Sequence, residues 1–412
     1  MNDIGFLNVN VYAVTIGMPL EGAIVKVTNN DNLLLTEMTT DASGKIATLQ
    51  LPSPPRELSL DINNSLKPYA EYNLEITKSG FMSQLIMNIE ILNGSTAIQN
   101  VIMQPSANNE DPLSRRIISI KEHTLYANIL PKIPEEEIKP ITLPSGYIVL
   151  DRPVIPETIV VHDGIPNDST APNYYVPFEE YIKNVACCEI FSTWPTATIR
   201  ANVLAIISFT LNRVYTEWYR GQGKYFTITS SSAYDQAFSY QRNIFEEISV
   251  IVDELFTTYI TKPNIVQPLF AQYCDGKRST CPQWMSQWGS KELGDRGYDH
   301  ISILKNYYGQ DVYLQQAEKV TGIPSSFPGY NLEIGSRGEE VRIIQRQLNA
   351  ISNNFPAIAK LVEDGIYGND TMNTVRTFQE VFNLPVSGIV NFATWYRISK
   401  IYVAVTKLAE NV

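Results

Sequence analysis

Between residues 131 and 172 the chain carries Pro131, Pro134, Pro140, Pro144, Pro153, Pro156, Pro166 and Pro172. Each proline fixes φ and lacks an amide hydrogen, so no long helix and no central strand can run through this stretch. It has to be largely extended, and it separates an N-terminal region from a C-terminal one. The polar run Ser106-Ala107-Asn108-Asn109-Glu110-Asp111-Pro112 leads into it, and Pro134-Glu135-Glu136-Glu137 makes it acidic. Such a segment can lie over a neighbouring domain, and it is where a protease would cut. We therefore expect a multidomain α+β protein with a connector over residues 108–174. The flanking units are an N-terminal β-sandwich over 1–107, a mixed α/β core over 175–325 and a three-helix unit over 326–412.

Hydrophobic periodicity supports that division. Asn8-Val9-Asn10-Val11-Tyr12, Ala23-Ile24-Val25-Lys26-Val27 and Tyr72-Asn73-Leu74-Glu75-Ile76 alternate as half-buried strands do. Asn29-Asn30-Asp31-Asn32 and Asp41-Ala42-Ser43-Gly44 are turn clusters between such runs. Beyond the connector the period changes. Phe178 to Ala186 begins a helix, Trp194-Pro195 interrupts, and Thr196 to about Tyr219 continues with Ile199, Val203, Ile206 and Ile207 near helical spacing. Tyr225 to Ser232 reads as strand and loop, and Asn243 to Tyr259 as strand or helix. In the last unit Val341, Ile344, Leu348 and Ile351 form one amphipathic face and Thr371, Val375 and Phe378 a second, and Thr394-Trp395 starts a third helix.

Charge excludes some partners. The formal net charge of −11 argues against nucleic-acid binding by bulk electrostatics. No run of about 18 apolar residues occurs, so no membrane span is expected. Met1-Asn2-Asp3-Ile4 lacks the basic start and apolar run of a classical signal peptide. Four cysteines do not make a disulfide scaffold. Cys187 and Cys188 are adjacent, whereas Cys274 and Cys281 could form a disulfide or half of a metal site. The histidines His123, His162 and His300 form no ligand-spaced pair with them, so neither a metal nor another cofactor is expected.

Three segments resemble known families. Thr39-Thr40-Asp41-Ala42-Ser43-Gly44-Lys45 resembles a turn of transthyretin-like domains, which implies a folded accessory unit. Leu332 to Val341, Gln345, Leu348, Asp364-Gly365-Ile366-Tyr367-Gly368, Thr371, Val375, Phe378-Gln379, Leu384 to Gly388 and Thr394-Trp395 resemble the peptidoglycan-binding domain of cell-wall hydrolases. Asp364, Tyr367 and Arg376 are its candidate wall contacts. Val176 to Ile190, Trp194-Pro195 and Ile199 to Ala205, followed by Met285-Ser286-Gln287-Trp288-Gly289-Ser290, Gly297-Tyr298 and Ile303 to Tyr308, resemble the two signatures of the sporulation stage II protein D family. That resemblance implies a lytic transglycosylase of peptidoglycan, with its catalytic glutamate falling on Glu189. The family's arginine in the long helix falls on Ile207, its tyrosine two positions later on Phe209, and its Gly-His-Gly stretch on Cys281-Pro282-Gln283-Trp284. Some members bind zinc, but the comparable loop Thr229 to Gln236 lacks Cys and His.

The residues around Glu189 suit the role. Breaking a glycosidic bond needs an acid to protonate the leaving oxygen. A glutamate beside Val185, Ala186, Cys188 and Ile190 is partly desolvated, which raises its pKa and retains the proton near neutral pH. Gln287, Ser286 and Trp288 are candidates to position sugar, followed by Asp275, Tyr273, Ser231 and Gln236. A muramidase-type hydrolase and a non-catalytic wall-binding protein are the competing readings. Taken in order, the units resemble those of clostridial spore cortex-lytic enzymes. This implies a zymogen of the spore cortex and coat region, cut between about Leu143 and Val154 by a subtilisin-like germination protease and acting on cortex peptidoglycan.

Overall fold

The computed structural model describes residues 3–106, 115–128, 130–139, 152–319 and 327–406. The expected cut region lies outside these but for its last positions.

The N-terminal part forms strands β1 (Ile4–Ala13), β2 (Ile24–Asn29), β3 (Leu34–Thr39), β4 (Leu49–Pro52), β5 (Ala70–Thr77), β6 (Ser83–Ile91), β7 (Thr96–Met103) and β8 (Arg115–Ser119). One sheet has the order β3-β2-β5-β6-β8, and β4, β1 and β7 belong to another. Alternation sends Leu7, Val9 and Val11 of β1, Val25 and Val27 of β2, and Leu74 and Ile76 of β5 into a shared core. At the expected turn, the Asp41 carboxylate accepts from the amides of Ser43 and Lys45, both at 2.9 Å. Gly44 has φ +75°, and a Cβ there would strike the Val11 carbonyl oxygen, so only glycine fits. The sheet continues past residue 107, because β8 pairs in parallel with β6 from within the connector.

The middle of the chain contains β9 (Val154–Ile155), β10 (Thr158–His162), β11 (Asn173–Pro177), α1 (Phe178–Glu189), α2 (Thr196–Tyr215), β12 (Ile228–Thr229), β13 (Ile244–Phe245), α3 (Glu246–Leu255), β14 (Thr258–Thr261), β15 (Tyr273–Cys274), β16 (Met285–Ser286), α4 (Gln287–Asp295), α5 (His300–Tyr308), β17 (Tyr313–Gln316) and β18 (Glu318–Lys319). The described parts of the connector hold no helix, and they are built into the core. β10 fits between Pro156 and Pro166 and pairs with β11 and β12. Helix α2 is the spine. It is buried over nearly its whole length, and its polar side chains serve neighbours. Asn202 donates to the Ser290 hydroxyl on α4 (2.8 Å), Ser208 accepts from the Ile260 amide on β14 (2.8 Å), and Asn212 donates to the Pro268 carbonyl (2.7 Å). It ends at Tyr215, earlier than expected, and Glu217 just beyond takes the left-handed φ of 46°.

The two parts are sewn together. β13 pairs antiparallel with β7, completing the order β13-β7-β1-β4. Next to it the Asn243 side chain accepts from the Glu90 amide and donates to the Glu90 carbonyl, both at 3.1 Å. The buried Arg242 guanidinium pairs with the Glu90 carboxylate.

The C-terminal unit has the three expected helices, α6 (Glu339–Ser352), α7 (Asn369–Val381) and α8 (Phe392–Thr406). Two buried glutamines hold its turns alike. Gln345 accepts from the Gly365 amide (2.9 Å), and Gln379 accepts from the Gly388 amide (2.8 Å). This unit does not hang free. Arg397 of α8 pairs with Asp253 of α3 at 2.9 Å, and Asp253 also pairs with Lys183 of α1 at 2.5 Å. Lys400 of α8 pairs with Glu180 of α1 at 2.7 Å, and Asn354 donates to the Gly17 carbonyl at 2.8 Å. Among the described helices none is long and apolar enough to cross a membrane.

Asp253 is thus a buried carboxylate serving two cations. Asp253→Asn leaves Lys183 and Arg397 without their counter-charge and should lower the unfolding free energy by about 3–5 kcal/mol, read from urea denaturation. A change below about 1 kcal/mol would mean that the pairs are solvated and contribute as surface pairs do.

Candidate active site and wall-binding unit

Glu189 is the last residue of α1, and the chain turns into extended backbone at Ile190. The glutamate is 3% exposed. Its Oε1 accepts from the Ala237 amide at 2.7 Å, whereas Oε2 is buried with no hydrogen-bond partner. Burial pushes its pKa above the ordinary carboxylate range, opposed by the Lys132 ammonium, the Tyr273 hydroxyl and the Ala237 amide. The carboxyl borders a cavity of about 30 Å³ lined by Thr124, Lys132, Ser232, Tyr273, Asp275 and Gln287, among others. That space holds a water or two and no sugar.

Tyr273 sits on β15, which runs parallel to β16 with Tyr273 opposite Met285 and Cys274 opposite Ser286. This pairing brings the second signature to the end of the first. Gln287 lines the cavity, whereas Ser286 caps α4 by accepting from the Gly289 amide at 2.9 Å. Trp288 does not offer a stacking face. Its ring packs on Trp194 at 5.0 Å and Phe191 at 6.4 Å, in the core. Gln236 lies behind the cavity: it accepts from Tyr181 (3.1 Å) and Thr210 (2.8 Å) and donates to the Tyr273 hydroxyl (3.1 Å). Ser231 is a turn residue, and its neighbour Ser232 reaches the cavity instead. Asp275 borders the cavity, but its carboxylate accepts from the amides of Lys277, Arg278 and Ser279. Cys274 and Cys281 form a disulfide that closes this loop. Ile207 and Phe209 are fully buried, and Phe209 packs on Phe270 at 4.3 Å.

Residues that the sequence did not single out complete the site. Residues 121–128 and 130–139, from the connector, lie across the cavity as a strap. Thr124 donates to the Cys188 carbonyl through both its amide (2.9 Å) and its hydroxyl (3.0 Å), and His123 stacks on Phe191 at 4.3 Å. Ile133 donates to the Ala233 carbonyl at 2.7 Å, and Lys132 to the Asp235 carbonyl at 2.6 Å. Glu135 takes the Arg213 guanidinium in a two-pronged pair at 2.6 and 3.0 Å, while Arg213 Nε donates to Asp235 at 2.7 Å. From the other side Arg278 donates to the carbonyls of Thr124, Tyr126 and Ala127. The available signals were a lone arginine in the last turn of an apolar helix and an acidic run among prolines.

In the wall-binding unit, the Asp364 carboxylate accepts from the Gln345 side chain (3.0 Å) and the Ile366 amide (2.8 Å), so its role there is to shape the turn. Tyr367 is 1% exposed and donates to the Gly388 carbonyl at 3.0 Å, which makes it a core residue. Arg376 is exposed beside Gly388.

Comparison with known proteins agrees on this unit. Residues 337–398 match the family described as "Putative peptidoglycan binding domain". The chain therefore carries a domain of this family, which supports peptidoglycan as its partner there and a cell-wall-associated role. No curated protein matches the chain. Among solved structures, it is similar to the SleB N-terminal domain at 28% identity and TM-score 0.17, over 19% of this chain and 99% of that one. It is also similar to the minor pilin GBS52 of Streptococcus agalactiae (14%, TM-score 0.19, 27% of this chain and 48% of that one). A third is 5-hydroxyisourate hydrolase of Klebsiella pneumoniae (19%, TM-score 0.17, 25% and 92%).

The raised Glu189 pKa has a sign that can be tested. The folded protein binds this proton more tightly than the unfolded chain, so the stabilisation is complete below the ordinary carboxylate range and is lost as pH rises through the raised value. Glu189→Gln keeps the acceptor for Ala237 without the charge. Its urea midpoint relative to the parent should therefore improve as pH rises above the ordinary carboxylate range and level off beyond the raised value. A difference independent of pH would mean that Glu189 titrates as a solvated carboxylate.

Proposed function

We propose that this protein is a lytic transglycosylase of spore cortex peptidoglycan, held inactive until the connector is cut. The observation that carries the reading is Glu189, a carboxyl buried at a helix end with one oxygen held by an amide and the other unpartnered at a cavity. Protonated, it gives its proton to the glycosidic oxygen as that bond breaks. As carboxylate, it then takes the proton from the muramic acid 6-hydroxyl, whose oxygen attacks the anomeric carbon and closes a 1,6-anhydro ring. One residue serves as acid and then base, and no water is consumed.

The surroundings favour this over hydrolysis. An inverting hydrolase needs a second carboxylate free to activate water. Asp275 is the other carboxylate at the cavity among the described residues, and its oxygens are occupied by backbone amides. The strap supports zymogen control, since it fills the space in which a sugar would have to lie. The arrangement of an accessory β unit, a connector, a core and a wall-binding unit resembles the clostridial cortex-lytic enzyme SleC. We extend from it the spore as location and a subtilisin-like germination protease as activating partner.

Product analysis tests the reading. The full chain, the chain cut by a subtilisin-class protease and the cut Glu189→Gln variant are incubated with purified cortex, and the soluble fragments are read by mass spectrometry. The cut parent should release anhydro-muramic ends, with the uncut chain and the variant slower by about 10²–10⁴-fold. Reducing ends, heavier by one water, would make it a hydrolase. Binding without release from any form would make it a wall-binding protein.

A further inference from the structure

The strap covers Glu189 with a specific chemical group. The Lys132 ammonium donates to the Asp235 carbonyl at 2.6 Å and lies 4.3 Å from the Tyr273 ring centre and 4.8 Å from that of Phe209. It lines the same cavity as Glu189. Asp235, Tyr273 and Phe209 belong to the core, and the cation they meet comes from the strap. Two aromatic faces, a carbonyl and a carboxylate are the components of an ammonium site, in which the ring quadrupoles and the acceptors act together on a desolvated charge.

The charges agree. On the core side Asp235 is acidic and Arg213 is basic, so one negative charge is in excess whenever the Glu189 carboxyl is ionised. On the strap, Glu135 is matched by Lys139 at 2.6 Å and shared with Arg213, so Lys132 is the cation that meets the excess. When the strap is displaced, that excess loses its cation. The cost of leaving it uncompensated favours a ligand that brings a positive charge of its own.

From this we propose that the space filled by Lys132 is a cation-binding subsite of the core, whose ligand is the primary ammonium of a hexosamine lacking its N-acetyl group. This deepens the reading of Glu189 as the catalytic carboxyl and rests on it for the identity of the substrate. A primary ammonium has three N–H donors for the Asp235 carbonyl and its neighbours. An N-acetyl group turns a methyl and a carbonyl oxygen towards the same acceptors and carries no charge. Lys132 thereby acts as an internal substitute for the substrate's amine.

Thermal melting of the full chain tests the subsite without requiring catalysis. Lys132→Ala should melt below the parent. n-Propylammonium chloride should raise its midpoint in a saturable way, and more so as pH rises through the raised Glu189 value while the amine stays protonated, whereas sodium chloride and n-propanol should not. Adding Glu189→Gln should abolish the selective rise. Lys132→Met, which retains most of the apolar stem, serves if the alanine variant does not fold. Equal shifts with the ammonium and the alcohol, or no shift in folded variants, would overturn the proposal. A second arm uses the protease-cut full chain. Glucosamine should raise its midpoint more than N-acetylglucosamine does, and no preference would remove the amino sugar as ligand. An enzyme that cleaves cortex without this preference would lose the subsite and keep the reaction. One that prefers the amine and cleaves nothing would do the reverse.

Discussion

A guanidinium with no solvent contact sets the terms for everything around it. Arg213 is buried at the end of the central helix, and such a charge persists only when its donors are met. Asp235 meets one side from within the core. The other side is met by Glu135, which belongs to the connector. Because that pair is two-pronged, it fixes direction as well as distance. The connector has to cross the core at this point, and in doing so it carries Lys132 over the Tyr273 ring and Thr124 onto the carbonyl that precedes Glu189. The cover over the carboxyl results from the need to neutralise Arg213 with Glu135, which lies three residues beyond Lys132 on the strap.

Which features were legible in the sequence depends on how local their causes are. Helices α1, α2 and α6 to α8 announce themselves through apolar spacing, because a helix face is written within its own residues. The Asp41–Gly44 turn is equally local. Strand β13 is two residues long and exists only because β7 lies beside it, so no pattern within Ile244–Phe245 could disclose it. The same holds for β8, whose partner is β6. The described parts of the proline-rich stretch hold no helix. That these parts are stitched into the core depends on partners far along the chain, such as Arg213 and Gln272, whose side-chain oxygen accepts from the Glu135 amide at 3.0 Å.

The site shows the same division. Glu189 and Gln287 could be picked out by motif and meet at one cavity. Trp288 and Tyr367 matched motifs too, but a motif does not separate a ring that stacks on sugar from one that fills a core. Their surroundings decide it, Trp194 and Phe191 in one case and the Gly388 carbonyl in the other. Asp364 and Asp275 show that a carboxylate in a signature can be taken up by backbone amides, which shapes a loop and leaves it little capacity for chemistry.

The docking of α8 on α1 has a consequence for how the molecule would meet a polymer. Glu180, which holds Lys400, and Glu189 lie on one helix, about 13 Å apart along its axis. A wall-binding unit on a flexible tether raises local concentration and lets the attached domain search in any direction. Here the wall-binding unit and the buried carboxyl are fixed to the same rod. Once anchored, the molecule would behave as a ruler with a set reach and orientation. The spacing of its contacts along the wall would be dictated by its own dimensions.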